Sequence, residues 1–474
     1  MRRLLHLSPF ARLHPVELVL MGLLALIVVG FGAITLERSA FSDRRKTDAG
    51  VYFRAAWAIT ADRDPYAIKD DNGWSYLYPP PLAIVAVPFA EGPMSRSAIG
   101  WIKNPEGWEG LPYAWSVAIW YAIGVLALVL GAHWMGCVIQ HASQDAAVRE
   151  MPRGCRRWWQ DRLWPTLIGI VAVGSTLSRG QINTLMFLGI AGSVWWMVRG
   201  RGFGAGVWIA SAAVLKLFPA LLGLIALLRR DWKTVGGCFA GAAFFLAVMP
   251  ASLLGPERMV ELNKRFAEVM LLPHAGAMVD ADGGEQGKKV DELQRTRDNQ
   301  SLMSIYFAAT NLERVRESEQ IEPGLDARVF HVAGSVALLG LSIWAWWRLR
   351  RARSTWEIPL TVGLLSSVML AISPVCHLHY FVLAIPLIAV LWGIGLDRSA
   401  TRQPTLAMIG LFGVYFVLNL VPRLGDGGVP ALAWLGATRY VGLAQYANLM
   451  LIGWGCWVAW SLSRAGAARV SGTD

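Results

Sequence analysis

The chain has 474 residues, 55% of them hydrophobic and only 16% charged, with a mean hydropathy of +0.42, which is too apolar and too poor in charge for a soluble domain of this length. Its net charge of +11 comes from Lys and Arg grouped in short stretches between apolar runs, a pattern of membrane topology that argues against a nucleic-acid partner. The five cysteines (Cys137, Cys155, Cys238, Cys376 and Cys456) fall mostly in or beside apolar runs without metal-type spacing, so neither a disulfide framework nor a zinc site is expected.

The first apolar run, 15 to 36, follows Arg2, Arg3 and Arg12 and ends in Glu37-Arg38-Ser39. Lacking a small-residue cleavage site, it reads as a retained helix. A polar stretch follows that opens on Thr47-Asp48-Ala49-Gly50-Val51-Tyr52 and continues as an aromatic amphipathic run to Trp57. The next apolar run, 78 to 90, is short and bounded by prolines, which predicts a helix lying at or dipping into the membrane interface. Runs long enough to cross, or nearly so, recur near 112–138, 164–178, 181–198, 203–215, 217–228, 234–254, 329–347, 356–373, 378–396, 404–421 and 440–461. They must be helices, because the alternation of barrel strands is absent.

Taking the Lys/Arg blocks as cytoplasmic fixes the parity of the crossings. With the blocks at the N-terminus, Arg149–Arg162, Arg199–Arg201, Arg229–Lys233, Arg348–Arg353, Arg398–Arg402 and Arg464–Arg469 all inside, 203–228 must go in and come back, turning near Lys216 and Pro219; the alternative is one straight helix with Arg229, Arg230 and Lys233 outside. The expectation is an all-α polytopic domain over 1–474, with about 12 crossings and both termini cytoplasmic. Two long outer segments remain: 37–111, carrying juxtamembrane helices, and 255–328, with a polar insertion at 273–298. The cations Arg44, Arg45 and Lys46 fall outside under this scheme, against the charge rule.

Polar residues that survive in apolar surroundings gather on the outer side: Asp48, Tyr66, Tyr78, Arg179, Gln181, Asn183, Lys216, Asn299, Gln300, His377 and His379. One acid with several cations and amides on one membrane face suits an anionic lipid headgroup. Each residue also has a plainer reading. Asp48 could cap the helix that starts at Ala49, Lys216 could snorkel to the interface, and the histidines could be satisfied hydrogen-bonding residues. Gln181 and Asn183 could join helices, and Tyr78-Pro79-Pro80-Pro81 could turn the chain.

The order Asp48 with Val51-Tyr52, Asp64-Pro65-Tyr66, Tyr76-Leu77-Tyr78-Pro79-Pro80, Gly180-Gln181-Ile182-Asn183, Leu215-Lys216-Leu217-Phe218-Pro219, Asn299-Gln300-Ser301-Leu302 and Ser373-Pro374 ahead of His379 resembles glycosyltransferase family 87. The resemblance implies a membrane enzyme of the GT-C type, located in the inner or plasma membrane with its active site extracytoplasmic. It implies transfer of a sugar, mannose in the best-known members, from a polyprenyl-phosphate donor to a lipid or glycan acceptor, with inversion and without cofactor or metal. In that scheme Asp48 is the general base. Lys216, His379, Arg179 and His377 hold the donor phosphate as charge builds on the leaving oxygen. Tyr52, Tyr66, Tyr78, Gln181, Asn183, Asn299 and Gln300 bind substrate or shape the site. Where the family carries Trp and a His pair, this chain has His377, His379 and Tyr380, and 92–111 and 273–298 are insertions. A carrier or flippase of an anionic solute, and a ligase or polymerase using a lipid-pyrophosphate donor, are the competing readings.

Overall fold

A computed structural model describes residues 15–41, 47–93, 111–271, 296, 298–313, 323–397, 405–425 and 430–471. The cations at 44–46, nearly all of the 273–298 insertion and most of the 92–111 insertion lie outside the described residues.

Helix α1 (Pro15–Leu36) is apolar on all sides and leaves Val19, Leu26 and Val29 more than 60% exposed, as lipid contact demands. Next come α2 (Ala49–Thr60) and α3 (Pro80–Val85), then α4 (Tyr113–Ala142), α5 (Arg156–Ile168), α6 (Ile170–Ser178), α7 (Asn183–Val198) and α8 (Gly202–Leu215). The chain continues through α9 (Gly223–Arg229), α10 (Trp232–Ala243), α11 (Met249–Leu254), α12 (Pro256–Phe266) and α13 (Leu302–Thr310). The last third holds α14 (Leu325–Arg351), α15 (Glu357–Ile372), α16 (Ile385–Leu396), α17 (Thr405–Gly425) and α18 (Leu443–Ser471). Between described residues, β pairing amounts to one isolated bridge, Lys69 with Ser75. Helical backbone covers every apolar run expected from the sequence. Six of these helices are long and apolar enough to cross a membrane, and four more are apolar but shorter.

Burial sorts the helices into layers. Almost every residue of α15 is buried, as is 83% of the Leu378–Leu396 window that leads into and through α16. The equivalent figures for α1 and α14 are 6% and 11%, which makes these the lipid-facing rim. Glycines let neighbours dock closely: a Cβ on Gly174 would lie 2.2 Å from the Phe31 ring of α1.

One end of the bundle is tied by polar contacts between distant segments. Arg156 pairs with Glu17 at 2.8 Å, Ser143 donates to Asp397 at 2.7 Å, and Thr355 donates to the Ala142 carbonyl at 2.6 Å. Arg229 pairs with Glu357, and Arg348 donates to Ser463 at 3.0 Å. The basic stretches near 156, 229 and 348 therefore share one end of the molecule.

The course of 203–228 follows from glycine packing. Gly202 lies against Asp231 and Thr234, Gly206 against Thr234 and Cys238, and Gly241 against Val207 and Ala210. Two Gly-x-x-x-Gly faces thus pack in parallel register, the close approach that small residues permit between membrane helices. Since α8 and α10 run parallel, the chain between them must return. Lys216 ends α8, the 3-10 turn Phe218–Leu222 reverses it, and α9 leads back to Arg229.

Run 78–90, expected as a short helix at or dipping into the interface, is helical in two short pieces. It folds as the six-residue α3 and a 3-10 turn Val87–Phe89, with Leu82, Ala83 and Ile84 buried beneath α2. The cause is local. The Tyr76 hydroxyl donates to the Pro79 carbonyl at 2.6 Å and accepts from the Ala83 amide at 3.0 Å, folding the proline turn inward. Arg54 of α2 secures the same region, reaching Asp71 at 2.6 Å and the carbonyls of Lys69, Glu91 and Gly92. From the far side, Arg265 of α12 pairs with Asp64 at 2.8 Å.

Candidate active site

At the end opposite those ties, α6 stops at Arg179 in a C-terminal motif that requires glycine. Gly180 has φ +65°, its amide donates to the Leu177 carbonyl at 3.1 Å, and the Gln181 amide donates to the Thr176 carbonyl at 3.0 Å. Gly180 is the left-handed C′ residue of this Schellman turn. The turn leaves two carbonyls pointing outward. That of Gly180 accepts from the Trp120 indole at 2.9 Å, and that of Arg179 accepts from the Asp48 amide at 2.9 Å.

This backbone bond sets Asp48 beside Arg179. Asp48 occupies the N-cap position of α2, yet its φ of −69° and ψ of −18° are helical and its side chain makes no capping bond. Its carboxylate is turned toward Gln181, within the fields of Arg179 and Lys216. Burial raises the acid above the usual carboxylate range, opposed by Arg179, Gln181 and Lys216. Tyr52, fully buried, donates to Gln181 Oε1 at 3.1 Å and lies 3.3 Å from the Tyr78 hydroxyl. Burial also raises the Tyr78 phenol, so it stays protonated.

Lys216 does not snorkel. Its Nζ is buried without a hydrogen-bond partner, 3.6 Å from the centroid of the Tyr380 ring and 5.4 Å from that of Tyr78. An aromatic face partly compensates a desolvated ammonium, and a buried one without a hydrogen-bond partner is costly enough to suggest a ligand.

The histidines come from the 3-10 turn Leu378–Ala384 and the residue before it. Their rings stack with centroids 5.7 Å apart, and His379 meets Tyr380 edge-on at 4.6 Å. The His379 carbonyl accepts from Thr176 at 2.7 Å and from Asn183 at 2.9 Å, while its buried Nε2 has no partner. Asn183 is thus a main-chain brace. Asn299 and Gln300 brace the preceding residues: Asn299 donates to the Pro374 carbonyl at 2.9 Å and accepts from the Cys376 amide at 2.9 Å, and the Gln300 amide donates to the Cys376 carbonyl at 2.6 Å. Tyr66 acts further out, donating to the Tyr78 carbonyl at 3.0 Å.

Arg179, His377, His379 and Gln300 line one pocket. Two of its arginines were not singled out from the sequence, Arg423 at the end of α17 and Arg439 in the turn before α18. Their signal was present: each is an arginine at the end of the bundle remote from the basic stretches. Arg179 belongs to both lobes of the site, lining the cavity and facing Asp48. The arrangement can hold an anion beside a carboxylate able to take a proton.

The sequence model of glycosyltransferase family 87 matches residues 76–374, a span that includes Tyr78, Arg179, Gln181, Asn183, Lys216, Asn299 and Gln300. A polyprenol-phosphate-mannose-dependent alpha-(1-2)-phosphatidylinositol pentamannoside mannosyltransferase of Mycolicibacterium smegmatis is 26% identical over 84% of this chain and 79% of its own length. The polyprenol-phosphate-mannose-dependent alpha-(1-2)-phosphatidylinositol mannoside mannosyltransferase of Mycobacterium tuberculosis is 26% identical over 73% of this chain and 69% of its own. Among solved structures, ArnT from Cupriavidus metallidurans bound to undecaprenyl phosphate is similar over 95% of this chain and 78% of its own, with 15% identity and a TM-score of 0.37. The chain belongs to glycosyltransferase family 87, and it is a hexosyltransferase of the membrane.

Proposed function

We propose that the protein transfers a sugar, mannose by analogy with its relatives, from a polyprenyl-phosphate donor to a hydroxyl of a lipid or glycan acceptor. The reading also takes the bundle as a GT-C-type domain in the plasma membrane, with about 12 crossings, cytoplasmic termini and an extracytoplasmic site.

The observation that carries the reading is a carboxylate at a helix cap that does not cap, turned instead toward a cation-rich site. In the reaction Asp48 takes the proton of the acceptor hydroxyl as its oxygen attacks the anomeric carbon. The bond from that carbon to the phosphate oxygen breaks, and its electron pair leaves with the phosphate. Attack opposite the leaving group inverts the anomeric centre. Arg179, Lys216, His377 and His379 receive the growing negative charge, so no metal is required for this step.

The test is turnover by the purified protein in detergent or nanodiscs. With polyprenyl-phosphate mannose and an acceptor it releases free polyprenyl phosphate; a carrier would consume no donor, and release from a diphosphate donor alone would favour a ligase. Asp48→Asn lowers transfer by about 10²- to 10⁴-fold, the usual range for a general base, while donor binding persists. Near-normal turnover by that variant would remove Asp48 from the mechanism.

A further inference from the structure

Beneath the pocket lined by Arg179, His377 and His379, the helices carry buried amides whose hydrogen bonds are only half made. Arg423 of α17 and Ala444 of α18 both line that pocket, and the two helices pack against one another. One helical turn further in, on the same face of each helix by the four-residue spacing, stand Asn419 and Asn448. Gln445 follows Ala444 directly. Asn419 is 2% exposed, and Gln445 and Asn448 are fully buried.

Asn419 Nδ2 donates to the Tyr415 carbonyl at 2.9 Å, and Asn448 Nδ2 donates to the Ser367 carbonyl of α15 at 2.9 Å. These bonds fix which end of each amide is nitrogen. They leave both Oδ1 atoms without a partner among the described residues, where Gln445 lacks one for Oε1 and for Nε2 alike. The backbone adds a further acceptor. Pro422 lines the pocket inside α17, and because it has no N–H the Leu418 carbonyl loses its helical donor. Amides that served only to join helices would be bonded across the interface at both ends, whereas these are desolvated without compensation. The unmet groups are neutral, several acceptors with a donor among them. Phosphate and carboxylate oxygens, which only accept, would meet the amide oxygens badly. A hydroxyl both donates and accepts, and so satisfies either end of an amide.

We propose that the pocket continues inward between α17 and α18 as a neutral subsite, in which Asn419, Gln445 and Asn448 bind the hydroxyls of a sugar. This rests on the sugar-transfer reading above. The donor sugar and a sugar of the acceptor both carry hydroxyls of this kind, and the two sources are told apart by experiment. The three amides are thereby specificity residues, because a buried amide left unpaired disfavours an analogue that lacks the matching hydroxyl.

The experiment pairs removal of an amide with removal of a hydroxyl. Asn419→Leu, Gln445→Leu and Asn448→Leu are assayed as purified full-length protein with polyprenyl-phosphate mannose, with its deoxy analogues, and with acceptor glycans intact or deoxygenated; donor binding is also titrated without acceptor. Wild type is expected to lose about 3- to 10-fold in kcat/KM when a bound hydroxyl is removed, the worth of one neutral hydrogen bond. The variant lacking the partner amide loses as much with the intact substrate and nothing further with the matching analogue. Such coupling in the donor series assigns the subsite to the donor sugar, and in the acceptor series to the acceptor sugar. Thermal midpoints of the leucine variants stay at or above wild type, since an uncompensated polar group gives way to an apolar one of similar size. Serine variants, smaller than the residues they replace, repeat the measurement where a leucine variant does not fold. Losses that simply add, or wild-type kcat/KM toward every substrate, overturn the proposal and assign the amides to ordered water, with the transfer reading untouched. The same coupling in donor binding, by a protein that releases no polyprenyl phosphate, would sustain the subsite and overturn the transfer reading.

Discussion

Replacing Gly180 by alanine tests whether the Schellman turn sets the position of Asp48. The added Cβ would lie 2.8 Å from the Ala49 Cβ, about 0.6 Å inside the shortest comfortable carbon–carbon contact. The φ of +65° adds roughly 1–2 kcal/mol of backbone strain for a residue with a side chain. Ala49 is the residue after Asp48, and the Asp48 amide is bonded to the Arg179 carbonyl. The clash is therefore relieved by moving the carboxylate away from the cations. A displacement approaching 1 Å costs about 10²-fold when a reacting group must be aligned, so kcat should fall about 10- to 100-fold with donor KM nearly unchanged. Gly200→Ala is the control: its φ is +69°, but a Cβ there meets nothing within 4 Å. Steady-state kinetics and thermal melts of both variants decide the matter. Gly180→Ala with wild-type kcat, or Gly200→Ala with an equal loss of kcat, would refute the argument.

Three further outcomes are expected. Since burial raises Asp48 in the folded protein, its folded form holds a proton to higher pH than the unfolded chain. The contribution of Asp48 to stability is then fully present at low pH and is lost as pH rises through its folded pKa. Asp48→Asn escapes that decline, so its thermal midpoint should exceed wild type by a margin that widens with pH; a margin that does not change with pH contradicts the assignment. Lys216→Met removes a buried ammonium without a hydrogen-bond partner, which should raise the thermal midpoint and weaken donor affinity about 10- to 100-fold, the worth of a charged contact; unaltered donor affinity would leave Lys216 without a ligand. Single cysteines at Arg201 and Arg230 in a background without native cysteines should react with an impermeant thiol reagent from the same side of sealed vesicles, and labelling from opposite sides would contradict the return of the chain at Lys216.

Much of the architecture was legible in the sequence because membrane helices announce themselves by apolar length, and charge parity favoured a return within 203–228 over one straight helix. The Gly-x-x-x-Gly contact between α8 and α10 is the physical form of that turn. The site was legible in part. Asp48, Arg179, Lys216, His377 and His379 stood out as polar groups in apolar surroundings, and the fold gathers them at one end. What could not be read was division of labour: Asn183 and Asn299 spend their side-chain amides on main-chain groups of 374–379 and Gln300 spends its own on the Arg439 carbonyl, contacts made across nearly two hundred residues in one case and about 75 in another. Arg423 and Arg439 escaped notice because an arginine after an apolar run resembles a snorkelling anchor until the helices around it are assembled. Run 78–90 was legible only in part for a related reason. Its prolines predicted a break, but only the Tyr76 hydroxyl, bonded to Pro79 and Ala83, folds it inward.

Thr176 and Asn183 grip the carbonyl of His379, leaving its imidazole outside the bracing. Any amino acid offers that same carbonyl, so the scaffold is indifferent to which side chain projects from position 379. If His379 meets the donor phosphate as proposed, a mutation there exchanges what meets the ligand without dismantling the turn that presents it.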